Sequence, residues 1–470
     1  MAATTGRPTG PRLATSSAAQ LSPAGKAALK SSAFSAEEFS GRVEKAERTG
    51  LLDLSFADLS QLPPEVGNLS SLTKLDLHFN KLSMLPTAIK SMHALKRLEI
   101  QFNQLVTLPP EIGQLASLRE LDVSNNPIES LPDELGDMGQ MTALNIYGLK
   151  LTRLPETIGR MECLQRMDVR DNQLTELPES IGGCSELREL NASNNELVRL
   201  PASIGKLRKL SILFLTSNHI DRLCDEIGDC TALQTLNLVD NTLTSLPAAV
   251  GSLKSLTTLD LSHNRLESLP DEIGKLSSMT RLLLGHNRLA SLPSTFGGLV
   301  NLLHLAIYEN SLKQLPGEVG ALRSLRELSA SANSMTKLAP EVGRLEHLRA
   351  LDVSRNKLTY MPPDFNNLAK LRRVNIDGNP WDRVPEHIST LARALSRPGL
   401  ACPACNAAKL VDATPPVPED AELPENKQFH EQYGFPLHCP KCEAEYESCN
   451  VRREWVGRRN GTIEYLATVA

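Results

Sequence analysis

Four cysteines near the C-terminal end carry the most recognisable chemistry in this chain. Cys402 and Cys405 form one C-P-x-C pair and Cys439 and Cys442 form a second, with 33 residues between the pairs. Four soft thiolates at such spacing suit a tetrahedral Zn2+ ion. A site with four thiolates keeps no open coordination position, so the expected role is structural: metal binding contributes folding free energy rather than catalysis. Cys449, His438 and His430 lie close enough in sequence to substitute as ligands. The H-x-E that precedes P-C-x-x-C in zinc deaminases is not found in the sequence. Between the pairs, "DATPPVPEDAELPEN" reads as a flexible acidic insertion. After them, "REWVGRRNGTIEYLA" reads as a hairpin with Asn460-Gly461 at its turn. Arg452, Arg453, Arg458 and Arg459 cluster near Trp455, a patch that suits either nucleic acid or a protein.

A second set of residues suits binding rather than reaction. Phe56, Phe79 and Phe102 recur at a spacing of 23 residues, although aromatics make up only 4% of the chain. If that spacing reflects a stack of strands, all three rings fall on one face. Tyr147, Phe214 and Tyr308 share that face by register, and Lys74 and Arg97 flank the phenylalanines. Exposed aromatics beside basic residues predict a contact ridge for a protein partner. The competing reading is that the rings lie flat and merely cover the sheet. Arg326, Arg349 and Arg372 hold another common register, with Glu327, Asp352 and Asp377 interleaved nearby, which predicts a self-compensated face. His263 and His286 are in register too and read as contact residues, since no third ligand accompanies them. Asp53, Asp76, Asp122, Asp168 and Asp260 recur at one inner-face position and read as supporting solubility and register.

The element that must position these groups is a repeat. "LTKLDLHFNKLSMLP" has the pattern L-x-x-L-x-L-x-x-N-x-L-x-x-L-P, with Asn80 at the key slot. Steps of 23 from Asn80 define fifteen units from Ala57 to Asn379, and only Ala57 and Leu149 depart from Asn. A Pro follows six residues later except at Cys224 and Ala339. The x-L-x-L-x segment alternates and predicts a short strand with its Leu side chains inward. The Asn can satisfy backbone groups as the chain leaves that strand. "LP-x-x-I-G" predicts a helical or 3₁₀ turn with one apolar side. No unit can bury its own apolar side, so the units must stack. The predicted fold is an α/β solenoid with parallel strands on the concave face of a horseshoe.

This pattern resembles the leucine-rich-repeat superfamily over about residues 49–391. The 23-residue "LP-x-x-I-G" unit is most similar to the intracellular Ras-group type, which includes Ras-binding scaffolds and related plant proteins. The C-P-x-C pairs in turn resemble the knuckles of a zinc ribbon. The resemblance implies a non-enzymatic adaptor in signal transduction whose partner is a small GTPase or a phosphatase complex. Some relatives with paired C-terminal cysteines are ubiquitin-ligase substrate receptors, which makes a ligase role one alternative. A nucleic-acid-associated factor using the zinc module is another.

Domain boundaries follow from composition. Residues 1–34 are Ser/Ala/Pro-rich and acid-free, which predicts a disordered tail or, alternatively, an organelle transit peptide. Residues 35–48 predict a capping helix, with Ser35 as N-cap, Glu38 completing a capping box and Phe39, Val43 and Ala46 on one face. The array and its C-terminal cap run through residues 49–396, and the cysteine module through 397–470. The net charge of −5 is small for 470 residues and gives no general argument for nucleic-acid or membrane binding. No apolar run is long enough to span a membrane. The phosphate-binding G-x-x-x-x-G-K-[ST], the G-x-S-x-G and the kinase signatures do not occur. The reading is therefore a monomeric cytoplasmic scaffold, with the nucleus or an organelle as alternative locations.

Overall fold

A computed structural model describes residues 22–30 and 35–395, and the strand residues 411–412, 437–438, 445–446, 451–459 and 462–469. Fifteen strands, from β1 (Leu51–Asp53) to β15 (Arg373–Asn375), form one parallel sheet in strict sequence order. Each neighbour is offset by one repeat, so Leu52 pairs with Leu75 and Leu75 with Leu98. Each of these fifteen strands is three residues long, with its middle side chain buried in the core and its flanking side chains mostly less buried. Leu52, Leu75 and Leu98 are essentially inaccessible. Burying each such Leu contributes roughly 1.5–3 kcal/mol.

Pairing continues two residues beyond each strand. Leu54 N donates to Asp76 O at 2.8 Å and Phe56 N to His78 O at 3.1 Å. The Asn of each unit then ties it to the unit before. Asn103 Nδ2 donates to Leu77 O at 2.9 Å and to Ile100 O at 3.0 Å, while its Oδ1 accepts from Leu82 N at 2.9 Å. One side chain thus satisfies three backbone groups that the turn would otherwise leave buried and unpaired. At Leu149 the ladder lapses. Leu149 is buried in the Asn position, and Asn126 and Asn172 keep their bonds to Val123 O and Ile146 O at 2.9 Å each.

After the turn, the recurrent Pro adopts an extended conformation and starts a five-residue 3₁₀ turn, such as Asp133–Asp137 after Pro132. Cys224 and Ala339 hold the same backbone conformation without the ring. Pro stabilises that conformation because its φ is already fixed. The apolar slot of each turn, including Ile112, Ile158 and Ile181, is fully buried against the sheet. Cys184 and Cys230 fill core positions, and burial pushes both thiols up to about 12, which makes them inert fillers.

The ends of the array are capped. Helix α2 (Ala36–Thr49) starts with a capping box: Glu38 N donates to Ser35 Oγ at 3.2 Å and Ser35 N to Glu38 Oε2 at 2.8 Å. Its Phe39, Val43 and Ala46 are buried against the first unit. Within the segment expected to be a tail, Pro23–Ala28 forms a short helix, α1, whose N-terminal Ser22 N donates to Glu65 Oε1 at 2.7 Å. Gly25, Ala28 and Leu29 are buried there, so local apolar contact outweighs the tail-like composition. Helix α3 (Glu386–Leu395) buries Ile388 at the far end, and Trp381 Nε1 donates to Ile376 O at 2.8 Å. Beyond it, β19 (Val451–Arg459) pairs antiparallel with β20 (Thr462–Val469), as the Asn460-Gly461 step predicts, with a bulge between Trp455 and Gly457. Three two-residue strands, Val411–Asp412, Leu437–His438 and Glu445–Tyr446, form a separate antiparallel sheet. Cys402, Cys405, Cys439 and Cys442 lie outside the described residues. No helix among the described residues is long and apolar enough to cross a membrane.

Candidate protein-interaction face

The residue just before the Asn slot has a left-handed backbone in all fifteen units. Gly148 and Gly378 fill two of these places, and the other thirteen carry side chains. The strand register predicted these residues as sheet positions. They instead sit on the turn, which holds them over the sheet face as one column. Asn, Asp and Gly tolerate this conformation, whereas a bulky residue there costs on the order of 1 kcal/mol. Phe56, Phe79 and Phe102 adopt it with φ of 52°, 51° and 57°.

What the strained positions gain is a stack. The Phe56 and Phe79 rings lie 4.7 Å apart at 11°, and Phe79 and Phe102 lie 4.3 Å apart at 5°. His78 sets its edge against Phe56 at 5.0 Å and against Phe79 at 5.5 Å. Stacking does not hide them: Phe56 is 62% exposed and Phe79 44%, while Phe102 is half-buried. Leu51, at the outward start of β1, is 54% exposed. Lys74 and Arg97 stand beside the column but already have partners. Lys74 Nζ lies 2.7 Å from Glu99, and Arg97 lies 2.6 Å from Glu99 and 3.2 Å from Glu120. Burial works to raise the Glu99 pKa, yet bonds to Lys74, Asp76 and Arg97 hold it at about 2. Asp76 pairs with His78, and burial and the adjacent Glu99 raise its pKa.

The other predicted contact residues do not join this cluster. Tyr147 lies two units beyond Phe102, with the Arg170 guanidinium 4.6 Å over its ring. Phe214 ends strand β8 (Ile212–Phe214), half-buried. Tyr308 lies across Gly285, where any side chain would strike the ring, and sets its edge 5.2 Å from His286. His263 and His286 stack at 4.0 Å, and His286 Nδ1 is 2.8 Å from Glu309. Burial and the neighbouring His286 lower the His263 pKa. The recurrent Asp residues have a local role. Asp122 Oδ1 accepts from Ser124 N at 3.0 Å and Oγ at 2.6 Å, and Asp53 with Ser55 and Asp352 with Ser354 repeat the arrangement. Beside the row of Arg326, Arg349 and Arg372, Arg373 Nη2 lies 2.6 Å from Glu327. Among the described residues, no group of three or more His, Cys, Asp or Glu is arranged to hold a metal ion.

Sequence reasoning missed His78 and Glu99 as members of the site. The D-x-S and D-x-H spacings were visible, but their meaning required knowing that the strand ends at the Asp. The left-handed column was also legible in principle, since Asn, Asp and Gly recur in it.

The sheet, the Asn ladder and the 3₁₀ turns define a repeat protein of the leucine-rich class. The family profile described as leucine-rich repeat region matches residues 50–147, 89–169, 133–215 and 256–334. Two further leucine-rich-repeat profiles match 231–273 and 323–380. The chain belongs to the leucine-rich-repeat family. A leucine-rich-repeat protein of Leptospira interrogans is 33% identical, with a TM-score of 0.61, covering 78% of this chain and 98% of that one. A TDR receptor is 27% identical, with a TM-score of 0.62, covering 75% of this chain and 68% of that one. The ectodomain of the receptor kinase GASSHO1/SCHENGEN3 from Arabidopsis thaliana, in complex with Casparian strip integrity factor 2, is 27% identical with a TM-score of 0.50. That match covers 73% of this chain and 51% of the ectodomain. No curated protein matches the chain significantly.

Proposed function

We propose that this chain is a non-enzymatic interaction scaffold whose sheet face recognises a protein partner through the Phe56–Phe79–Phe102 column. One observation carries the reading: three bulky rings occupy strained left-handed positions, and two of them, Phe56 and Phe79, stay exposed. Strain without burial brings the fold little in return, so a binding role accounts for it better than packing does. The structural relatives support a protein ligand, since the GASSHO1/SCHENGEN3 ectodomain is seen in complex with one. The 23-residue "LP-x-x-I-G" units support the Ras-group subclass, a role in signal transduction and a small GTPase or phosphatase complex as partner. The C-terminal Cys402/Cys405 and Cys439/Cys442 pairs are proposed to hold structural Zn2+, a reading supported by their spacing. Metal analysis of the purified full chain, and of a variant with all four changed to Ser, reads that directly.

The test of the scaffold is capture of a partner by the full chain against a Phe56→Ala/Phe79→Ala/Phe102→Ala variant. The expected result is loss of capture by at least tenfold, in keeping with aromatic hot spots, with an unchanged circular dichroism spectrum. Equal capture by both proteins would remove the column from the binding site.

A further inference from the structure

We propose that the C-terminal end of the array binds an acidic segment of a protein partner, with its carboxylates paired to the guanidinium groups of Arg326, Arg349 and Arg372. This second surface lies at the opposite end of the sheet from the Phe column and does not depend on it.

The row is continuous and its cations are close. Each arginine stands just before a strand of the last three units: Arg326 before Glu327, Arg349 before Ala350 and Arg372 before Arg373. Arg349 N donates to Arg326 O at 2.7 Å, and Arg372 N to Arg349 O at 2.8 Å. The three backbones are therefore direct neighbours, roughly 4.8 Å apart. All three residues are exposed. Like charges aligned on adjacent strands destabilise a sheet.

The carboxylates interleaved with the row in sequence do not compensate it. Glu327 pairs with Arg373 at 2.6 Å and with His304 at 3.3 Å. Asp352 accepts from Ser354 N at 2.9 Å and from Ser354 Oγ at 2.7 Å. Asp377 lies past the end of β15. Among the described residues, no carboxylate is within ion-pair distance of Arg326, Arg349 or Arg372. The residues just before the three arginines add Arg323 and Lys370, against a single carboxylate, Glu346.

The sheet does not need arginine at this position. In five other units it holds Thr or Ser, and each hydroxyl donates to a backbone carbonyl of the preceding unit, as Thr280 Oγ1 does to Thr257 O at 3.0 Å. The last three units forgo that bond and set three uncompensated cations side by side. An anionic ligand converts their repulsion into attraction. The planar fork of a guanidinium pairs with a carboxylate through two hydrogen bonds. The row spans only about 10 Å, short of the six to ten phosphates a nucleic-acid site commonly engages. The chain's net charge of −5 also disfavours a long polyanion. A short acidic peptide segment fits both the length and the charge.

The test uses rhodamine-labelled heptapeptides with three Glu, three Gln or three Lys among glycines, titrated against the full chain by anisotropy. The Glu peptide should bind, and the Gln and Lys peptides should not. Arg349→Thr should weaken the Glu peptide about tenfold, in keeping with the loss of a charge-assisted pair. Its thermal unfolding midpoint should hold or rise, because the new hydroxyl can bond Arg326 O and the row is broken. Arg188→Gln, which removes an exposed arginine from the same position between Gln165 and Ser211, should change neither readout. Equal affinity for the Glu and Gln peptides, or full Glu-peptide affinity in Arg349→Thr, would overturn the proposal. A lowered midpoint in Arg349→Thr would make the row structural and overturn it too. A single-stranded oligonucleotide that binds more tightly than the Glu peptide, and is lost in Arg349→Thr, would assign the row to nucleic acid instead. Glu-peptide binding that appears only after Glu419→Gln, Asp420→Asn, Glu422→Gln and Glu425→Gln would make the chain's own acidic segment the occupant and exclude a partner's. The Phe56→Ala/Phe79→Ala/Phe102→Ala variant should bind the Glu peptide normally. Loss of binding there would place the peptide on the column and remove it from the arginine row.

Discussion

Asp168 illustrates how the sheet face spends stability at a single residue. Burial pushes its carboxyl up to about 6, although Arg170 lies only 3.5 Å away. The folded chain therefore disfavours the ionised form. That penalty is absent below the unfolded pKa near 3.8, grows as pH rises towards 6, and is complete above it. Asp168→Asn should leave stability unchanged at pH 3.5 and raise it at pH 7.5 by about 1–2 kcal/mol, less than the full pKa shift implies because the group is partly solvated. Urea unfolding at the two pH values measures this. A variant destabilised at pH 7.5 but not at pH 3.5 would show that Asp168 serves as an ion-pair anchor. The three Phe residues likewise hold strained left-handed backbones on this face.

At the scale of the element, the 3₁₀ turns depend on close approach. A side chain at Gly113 would overlap the Glu134 carbonyl of the next turn, and most units keep Gly at this slot. Lys90 and Asn366 hold the slot in two units near the ends of the array. Gly113→Ala should therefore cost roughly 1–3 kcal/mol, the usual range for overpacking, while Lys90→Gly should stay within about 1 kcal/mol. Thermal and urea unfolding of both variants provide the comparison. If Gly113→Ala proved neutral, the turns would have more room than their spacing indicates. The Asn ladder is the matching device on the sheet side, and it tolerates one missing member at Leu149 because the flanking Asn residues keep their own bonds.

At the scale of the whole molecule, a solenoid is a chain of nearest-neighbour contacts whose ends must be closed. Helix α2 closes the first end by burying Phe39, Val43 and Ala46. Deleting residues 1–49 should expose that apolar edge and the unpaired side of β1. The expected outcome is self-association in light scattering and a lower unfolding midpoint. A deletion that remains monomeric with an unchanged midpoint would show that the first unit closes itself. Because the Phe column also begins at this end, the cap borders the proposed recognition site without covering Phe56.

The sequence alone determined the solenoid, its fifteen units, the capping box at Ser35 and the burial of each Leu and Ile slot. These were legible because every relevant contact joins a residue to its counterpart 23 positions away, so periodicity encodes the partner directly. Only the tertiary structure decided what the face presents. It placed the residue before each Asn in a left-handed turn, stacked three Phe rings and left Tyr147, Phe214 and Tyr308 apart. It also joined Lys74 and Arg97 to Glu99, so the cations of the ridge read as basic are already paired. Spacing fixes which side chains are neighbours. Rotamer choice and competition among several charged partners decide which of them meet, and no periodic pattern records that.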